Sequence, residues 1–247
     1  MGCSVMRGAQ RITLFATYDR VSSLLSVRFR WMKSKRAAFI IVMAIPLFVV
    51  AGRIGQTGSS GSEKSRALAW DVLRLRVHDK DYLNHSLAVE AIMREFAVRT
   101  TGDADQWALA GLLHDIDITT TGRNLSRHGI EGAQILRDLG FDKAVVHAVS
   151  AHDDHVGIAR TSRLDHALYC ADQLYWLIVD TGLSFPSDKL RNATLESVLK
   201  RVQAMPGKVT VLRKTENECA QIGLTPPQAF ESALGGLKKA APAANIP

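Results

Sequence analysis

The chain has 247 residues, 47% apolar and 22% charged, enough for one globular domain with a large core plus an extension. Aromatics make up only 6%, which argues against a stacking platform for single-stranded nucleic acid. The net charge of +7 is concentrated in the first 36 residues, where eight Lys or Arg face one acid, Asp19, so it does not describe a basic groove. Cys3, Cys170 and Cys219 are odd in number and far apart, which predicts neither a disulfide framework nor zinc spacing.

In chain order, residues 1–36 form a basic tail, and Met32, just before Lys33-Ser-Lys-Arg, is a candidate alternative start with 1–31 an over-extended leader. Residues 37–52 follow as a charge-free apolar run, read as a short membrane anchor or a signal-like segment, with Val49-Val-Ala51 a candidate cleavage site. The basic flank would stay in the cytoplasm and the folded part outside; if the segment is unused, the protein is cytoplasmic. Residues 53–62, including Gln56-Thr-Gly-Ser-Ser-Gly-Ser62, read as a flexible linker. Apolar periodicity then predicts helices at about 63–77, 82–100, 104–114, 129–139, 142–152, 161–181, 187–203, 207–222 and 226–239. Asp81, Asp103 and Thr225 are the expected N-caps, and Gly102, Gly140 and Gly223 the expected stops. No alternating strand pattern of any length occurs, and Thr119–Arg127 is the main irregular loop. The fold class is all-α.

The chemistry concentrates in a few polar residues on or beside the apolar stripes. His85 is followed at helical spacing by Ala88, Val89, Ile92 and Phe96; His114 is preceded by Trp107, Ala110 and Gly111; His152 by Val145 and Val149; Asp172 by Asp165 and Leu168. Asp115 adjoins His114, and His128 precedes a small first helical turn, Gly129 to Gly132. One inward histidine is usually a satisfied core residue, but imidazoles and carboxylates sharing one core point to a metal, because burying them unpaired is expensive. With no thiolate among them, Mn, Fe, Zn, Ni and Mg all remain open. His78, His147 and His166 read as surface or hydrogen-bonded histidines, with His155 in reserve.

The order His85, His114-Asp115, Asp172 resembles the HD-domain metal-dependent phosphohydrolases, over about Lys64 to Leu237. The fuller series with His128 and His152 resembles their two-metal, HDIG-type branch. The resemblance implies a helical bundle behind the apolar segment, with an HD domain at 63–182 and a helical extension at 183–247. It implies one metal on His85, His114, Asp115 and Asp172, with Asp115 bridging to a second on His128 and His152. Asp117 stands where HDIG proteins have Gly, no Gly-Tyr-Pro follows, and Ile118 and Thr119 replace the Glu-Asp pair of guanosine-tetraphosphate hydrolases. Substrate identity therefore carries over from neither branch.

The expected activity is hydrolysis of a phosphomonoester or phosphodiester, nucleotide-like, by water activated on one or two divalent ions. Asp115 and Asp117 are the expected catalytic carboxylates, Asp117 accepting a proton or orienting a ligand histidine. Arg123, Arg127 and Arg163 are candidates to hold the phosphate. The expected partner is a small phosphate ester, with no nucleic-acid polymer and a membrane contact through 37–52. A di-iron oxygenase and a non-catalytic, membrane-tethered metal-binding module are the rival readings.

Overall fold

The computed structural model describes residues 61–122, 124–182, 193–205 and 207–244. The expected tail, anchor and linker up to residue 60 lie outside them. Among the described residues the secondary structure is helical, with no strand, and no helix is long and apolar enough to cross a membrane. The helices are α1 (Gly61–Arg76), α2 (Lys80–Thr100), α3 (Ala104–Leu113), α4 (Ile118–Thr121), α5 (Ile130–Asp138), α6 (Lys143–Ala151), α7 (Arg163–Gly182), α8 (Leu195–Ala204), α9 (Lys208–Gln221) and α10 (Pro226–Ala244). A 3-10 turn, Asp154–Val156, lies between α6 and α7.

The caps follow sequence logic with informative shifts. Asp103 accepts from the amides of Asp105 and Gln106 and starts α3. Asp79, not Asp81, starts α2, and accepts from the Asp81 amide. At the other end of α2 the left-handed residue is Thr101, with φ of 55°, rather than Gly102. Gly102 answers a different need: a Cβ there would lie 2.7 Å from the Trp107 ring. Within the expected Thr119–Arg127 loop, α4 forms as one short turn of helix.

The core is built around α2. His85, Ala88, Val89, Ile92, Met93 and Phe96 form one buried stripe at helical spacing. Burying each large apolar side chain of this kind is worth about 1.5–3 kcal/mol. Two glycines bring neighbouring helices onto this stripe. A Cβ at Gly111 of α3 would meet the Glu90 amide nitrogen and the Val89 carbonyl oxygen at 2.9 Å, and one at Gly236 of α10 would meet Ile92 backbone at 2.8 Å. Thus α10 packs into the same core that carries His85. Ion pairs Arg99–Glu231 and Lys239–Glu95 flank that contact.

Helix α7 crosses this core with Leu164, Ala167, Leu168, Ala171, Leu174 and Ile178 all buried. The cysteine expectation is corrected here. Cys170 of α7 and Cys219 of α9 form a disulfide, with Cα atoms 5.4 Å apart. Spacing in the chain says nothing about which faces of two distant helices meet, so a pair 49 residues apart escaped notice.

Gly111 sets the distance between the helices that carry His85 and His114. Gly111→Ala must push backbone against backbone, and overpacking of this kind costs about 1–3 kcal/mol. The expected outcome is a thermal midpoint lower by about 2–4 °C per kcal/mol lost, read by circular dichroism. An unchanged midpoint would contradict the close approach.

Candidate metal centre

Six polar side chains converge where these helices meet. His85 comes from the second turn of α2, His114 from the C-cap of α3, with Asp115 directly after it. His128 immediately precedes Gly129, the N-cap of α5. His152 is the C-cap of α6, and Asp172 sits in the middle of α7. Each is at most 9% exposed.

Helix ends determine how the imidazoles are presented. The last carbonyls of a helix have no intrahelical partner. His114 Nδ1 lies 2.8 Å from the Gly111 carbonyl oxygen, and His152 Nδ1 lies 2.7 Å from that of Val149. A carbonyl only accepts, so each Nδ1 carries the proton, and in the neutral ring each Nε2 keeps its lone pair. His128 Nδ1 likewise faces Asp117 Oδ1 at 2.8 Å. Gly129, with φ of 77°, lets the chain turn away right after His128, where a Cβ would meet the Val149 carbonyl oxygen at 2.9 Å.

The two oxygens of Asp115 divide the site. Oδ2 lies 3.6 Å from His85 Nε2 and 3.4 Å from His114 Nε2. Oδ1 lies 3.1 Å from His128 Nε2 and 3.7 Å from His152 Nε2. Within the first set, the Nε2 atoms of His85 and His114 are 2.9 Å apart, and Asp172 Oδ1 is 3.1 Å from His85. Within the second, the Nε2 atoms of His128 and His152 are 3.1 Å apart.

These distances fit ligands gathered around ions. Donors about 2.1 Å from one ion stand about 3.0 Å apart at right angles and about 3.4 Å apart at the tetrahedral angle. The Nε2 atoms of His128 and His152 at that separation need a proton or a metal ion between their lone pairs. Asp172 Oδ1 is fully buried and faces the Nε2 atoms of His85 and His114 at 3.1 and 3.8 Å, so a cation among them would satisfy these atoms together. His85, His114 and Asp115 form one group able to hold an ion, and Asp115, His128 and His152 a second. Imidazole with carboxylate suits divalent transition ions or Mg.

The electrostatics show the same demand for positive charge. Burial opposes a charge on His128, but hydrogen bonds to Asp115 and Asp117 and their negative charges outweigh it and raise its pKa to about 10. Burial would likewise raise the pKa of Asp115, yet the charge of His114 and hydrogen bonds from His114, His128 and His152 hold it well below the usual carboxylate range. Asp172 is lowered despite its burial by the hydrogen bond and charge of His85.

Asp117 does not face the site. It is 0% exposed, and its oxygens accept from His128 Nδ1 and from the amides of Gly129 and Gly132, all at 2.8 Å. It therefore orients His128 and holds the first amides of α5. Arg163 is engaged with backbone carbonyls. Its guanidinium donates to the carbonyls of Thr100 and Ile222 and lies 5.9 Å from the Trp107 ring centroid, clamping two helix ends. Arg127 pairs with Glu131 across one turn. Arg123 lies outside the described residues. His147, His155 and His166 pair with Asp165, Asp153 and Glu218, and His78 is exposed.

A cavity of about 550 Å³ opens onto the cluster. Its rim includes Tyr82, Ile118, Leu125 and Trp176. Trp176 was missed by sequence reading. It is 42% exposed and stacks on His85 with ring centroids 5.0 Å apart. Its place four residues after Asp172, on the same helical face, was the available signal.

Residues 82–177 match the family model described as HD domain. Among curated proteins, a ribonuclease Y of Nitratiruptor sp. is 32% identical over 128 residues, 52% of this chain and 22% of that protein. A ribonuclease Y of Sulfurimonas denitrificans is 31% identical over 134 residues, 54% of this chain and 24% of that protein. An uncharacterized protein of Methanocaldococcus jannaschii is 28% identical over 138 residues, 52% of this chain and 79% of that protein. The chain thus matches under a quarter of the length of these ribonucleases. No solved structure matches at the same level of significance.

Asp117→Asn tests the orienting role. An amide that keeps accepting from Gly129 and Gly132 turns its NH2 toward His128 Nδ1, which favours the tautomer with the proton on Nε2. Metal affinity should fall about 10–100-fold, with stoichiometry dropping from about two ions toward one. Titration with Mn2+ under competition by a chelator reads this, and unchanged affinity would contradict it.

Proposed function

Starting from an HD domain at residues 82–177, we propose that this chain is a metal-dependent phosphohydrolase acting on a phosphomonoester or phosphodiester, nucleotide-like in character. The observation that carries this reading is the division of the two Asp115 oxygens between two sets of imidazole lone pairs. His85, His114, Asp115 and Asp172 would hold one divalent ion, and Asp115, His128 and His152 the other. Bound there, such ions lower the pKa of a water and neutralise charge on phosphoryl oxygens.

The remaining work falls to the chain. Asp115, kept ionised at the floor of the cavity, offsets part of the positive charge of both ion positions. Asp117 and the carbonyls of Gly111 and Val149 keep the protons on the outer ring nitrogens, so that Nε2 of His128, His114 and His152 stays available. Tyr82, Ile118, Leu125 and Trp176 shield one side of the opening from water and offer an aromatic wall. The phosphate-holding role of Arg123 rests on its sequence position alone, and that of Arg127 needs release from Glu131.

The test is metal analysis of the purified chain joined to phosphate release from a panel of phosphoesters, with Mn2+, Fe2+, Zn2+, Ni2+ and Mg2+ each supplied. Asp115→Ala is expected to lose bound metal and activity together. The rate should fall by at least about 100-fold, the upper end of the loss seen when even an outer partner of a ligand is removed. Hydrolysis at the parent rate in Asp115→Ala would sink the reading. Oxygen consumption without phosphate release would assign the centre to oxygenase chemistry.

A further inference from the structure

A second cavity, of about 260 Å³, adjoins the first. Both are lined by His152, Asp153, Asp172 and Gln173. Two of these, His152 and Asp172, belong to the candidate metal centre. The ion-holding residues therefore stand between two openings of different chemistry. The first has the exposed Trp176 ring with Tyr82 and Leu125 near it. The outer wall of the second is α9, which presents Thr210, Val211 and Lys214 on one helical face.

That outer wall is held in place. The Cys170–Cys219 disulfide joins α9 to α7 two residues before Asp172, and Arg160 joins Glu218 of α9 to Asp154 at 2.9 Å on each side. Lys214 pairs with Asp154 and lies 5.4 Å from the Tyr169 ring centroid, which sets its ammonium at the second cavity. A phosphomonoester has one organic group and would leave one of the two cavities without an occupant. A phosphodiester has two.

Resting on the phosphohydrolase reading, we propose that the substrate is a phosphodiester that straddles the metal centre. An aromatic group on one side stacks against Trp176. The group on the other side passes over the Asp153–Gln173 rim into the second cavity, where Thr210 offers a hydroxyl and the Lys214–Asp154 pair a donor and an acceptor. Hydrolysis breaks one phosphorus–oxygen bond and forms another to water: one product leaves as a phosphomonoester and the other as an alcohol that takes up the proton.

The test compares a dinucleoside monophosphate and a short single-stranded oligonucleotide with the matching nucleoside monophosphate, all on the full chain with Mn2+. The diester kcat/KM should exceed the monoester value by about tenfold or more. Lys214→Ala should shrink that ratio. Trp176→Ala should weaken dinucleotide binding about tenfold, with Trp176→Phe restoring most of it and circular dichroism checking the fold. Either diester source supports the proposal, and the ratio between them shows which one the second cavity accommodates. Equal handling of monoester and diester, or a ratio indifferent to Lys214, overturns it. If nothing is hydrolysed, the phosphohydrolase reading fails separately, and tryptophan fluorescence still decides this one. Tighter binding of dinucleotide than mononucleotide, dependent on Lys214, sustains the two-sided site, and equal binding removes it.

Discussion

Asp115 is a carboxylate held at 6% exposure inside an apolar bundle, and the surrounding structure makes that placement tolerable. A buried ionised carboxylate costs several kcal/mol unless it is paired. Here both of its oxygens face imidazole nitrogens, two on each side. Those nitrogens come from four separate pieces of chain, so the carboxylate ties α2, the end of α3, the start of α5 and the end of α6 into one arrangement. A proton satisfies it in part, since the hydrogen bonds to Asp115 and Asp117 raise the pKa of His128 to about 10. Divalent ions would satisfy the carboxylate and the lone pairs at the same time.

Backbone geometry sets that arrangement before any side chain acts. Gly111 brings α3 against the backbone of α2, and the contact places His114 within 2.9 Å of His85. Gly129 does the same for His128 against the end of α6. His114 and His152 sit at helix C-caps, where orphan carbonyls select the tautomer that leaves Nε2 open. Helix α7 then carries three features on one rod: Asp172 in the polar cluster, Trp176 at the rim of the first cavity, and Cys170 joined to the helix that walls the second.

Much of this was legible in the sequence, for identifiable reasons. The helices announced themselves through the 3.6-residue repeat, and His85, His114, His152 and Asp172 could be placed on inward faces by the same count. What was not legible depended on tertiary neighbours. Arg163 looked like a free cation until the ends of α2 and α9 supplied carbonyls for it. Asp117 could be read as a proton acceptor or as the partner of a histidine, and only the turn into α4 shows its side chain reaching His128 and the amides at the start of α5. Cys170 and Cys219 could be paired only once the facing sides of α7 and α9 were known. Trp176 reads as one more apolar residue in a helix until its exposure beside the cluster is seen.

The central claim is that one carboxylate is shared by two ions. Anomalous diffraction from crystals soaked in Mn2+ tests it most directly. The account predicts two peaks about 3.5–4 Å apart, the spacing usual for paired catalytic ions, one on each side of the Asp115 carboxylate. One peak should lie among His85, His114 and Asp172, the other between His128 and His152. A single peak, or peaks away from Asp115, would contradict it.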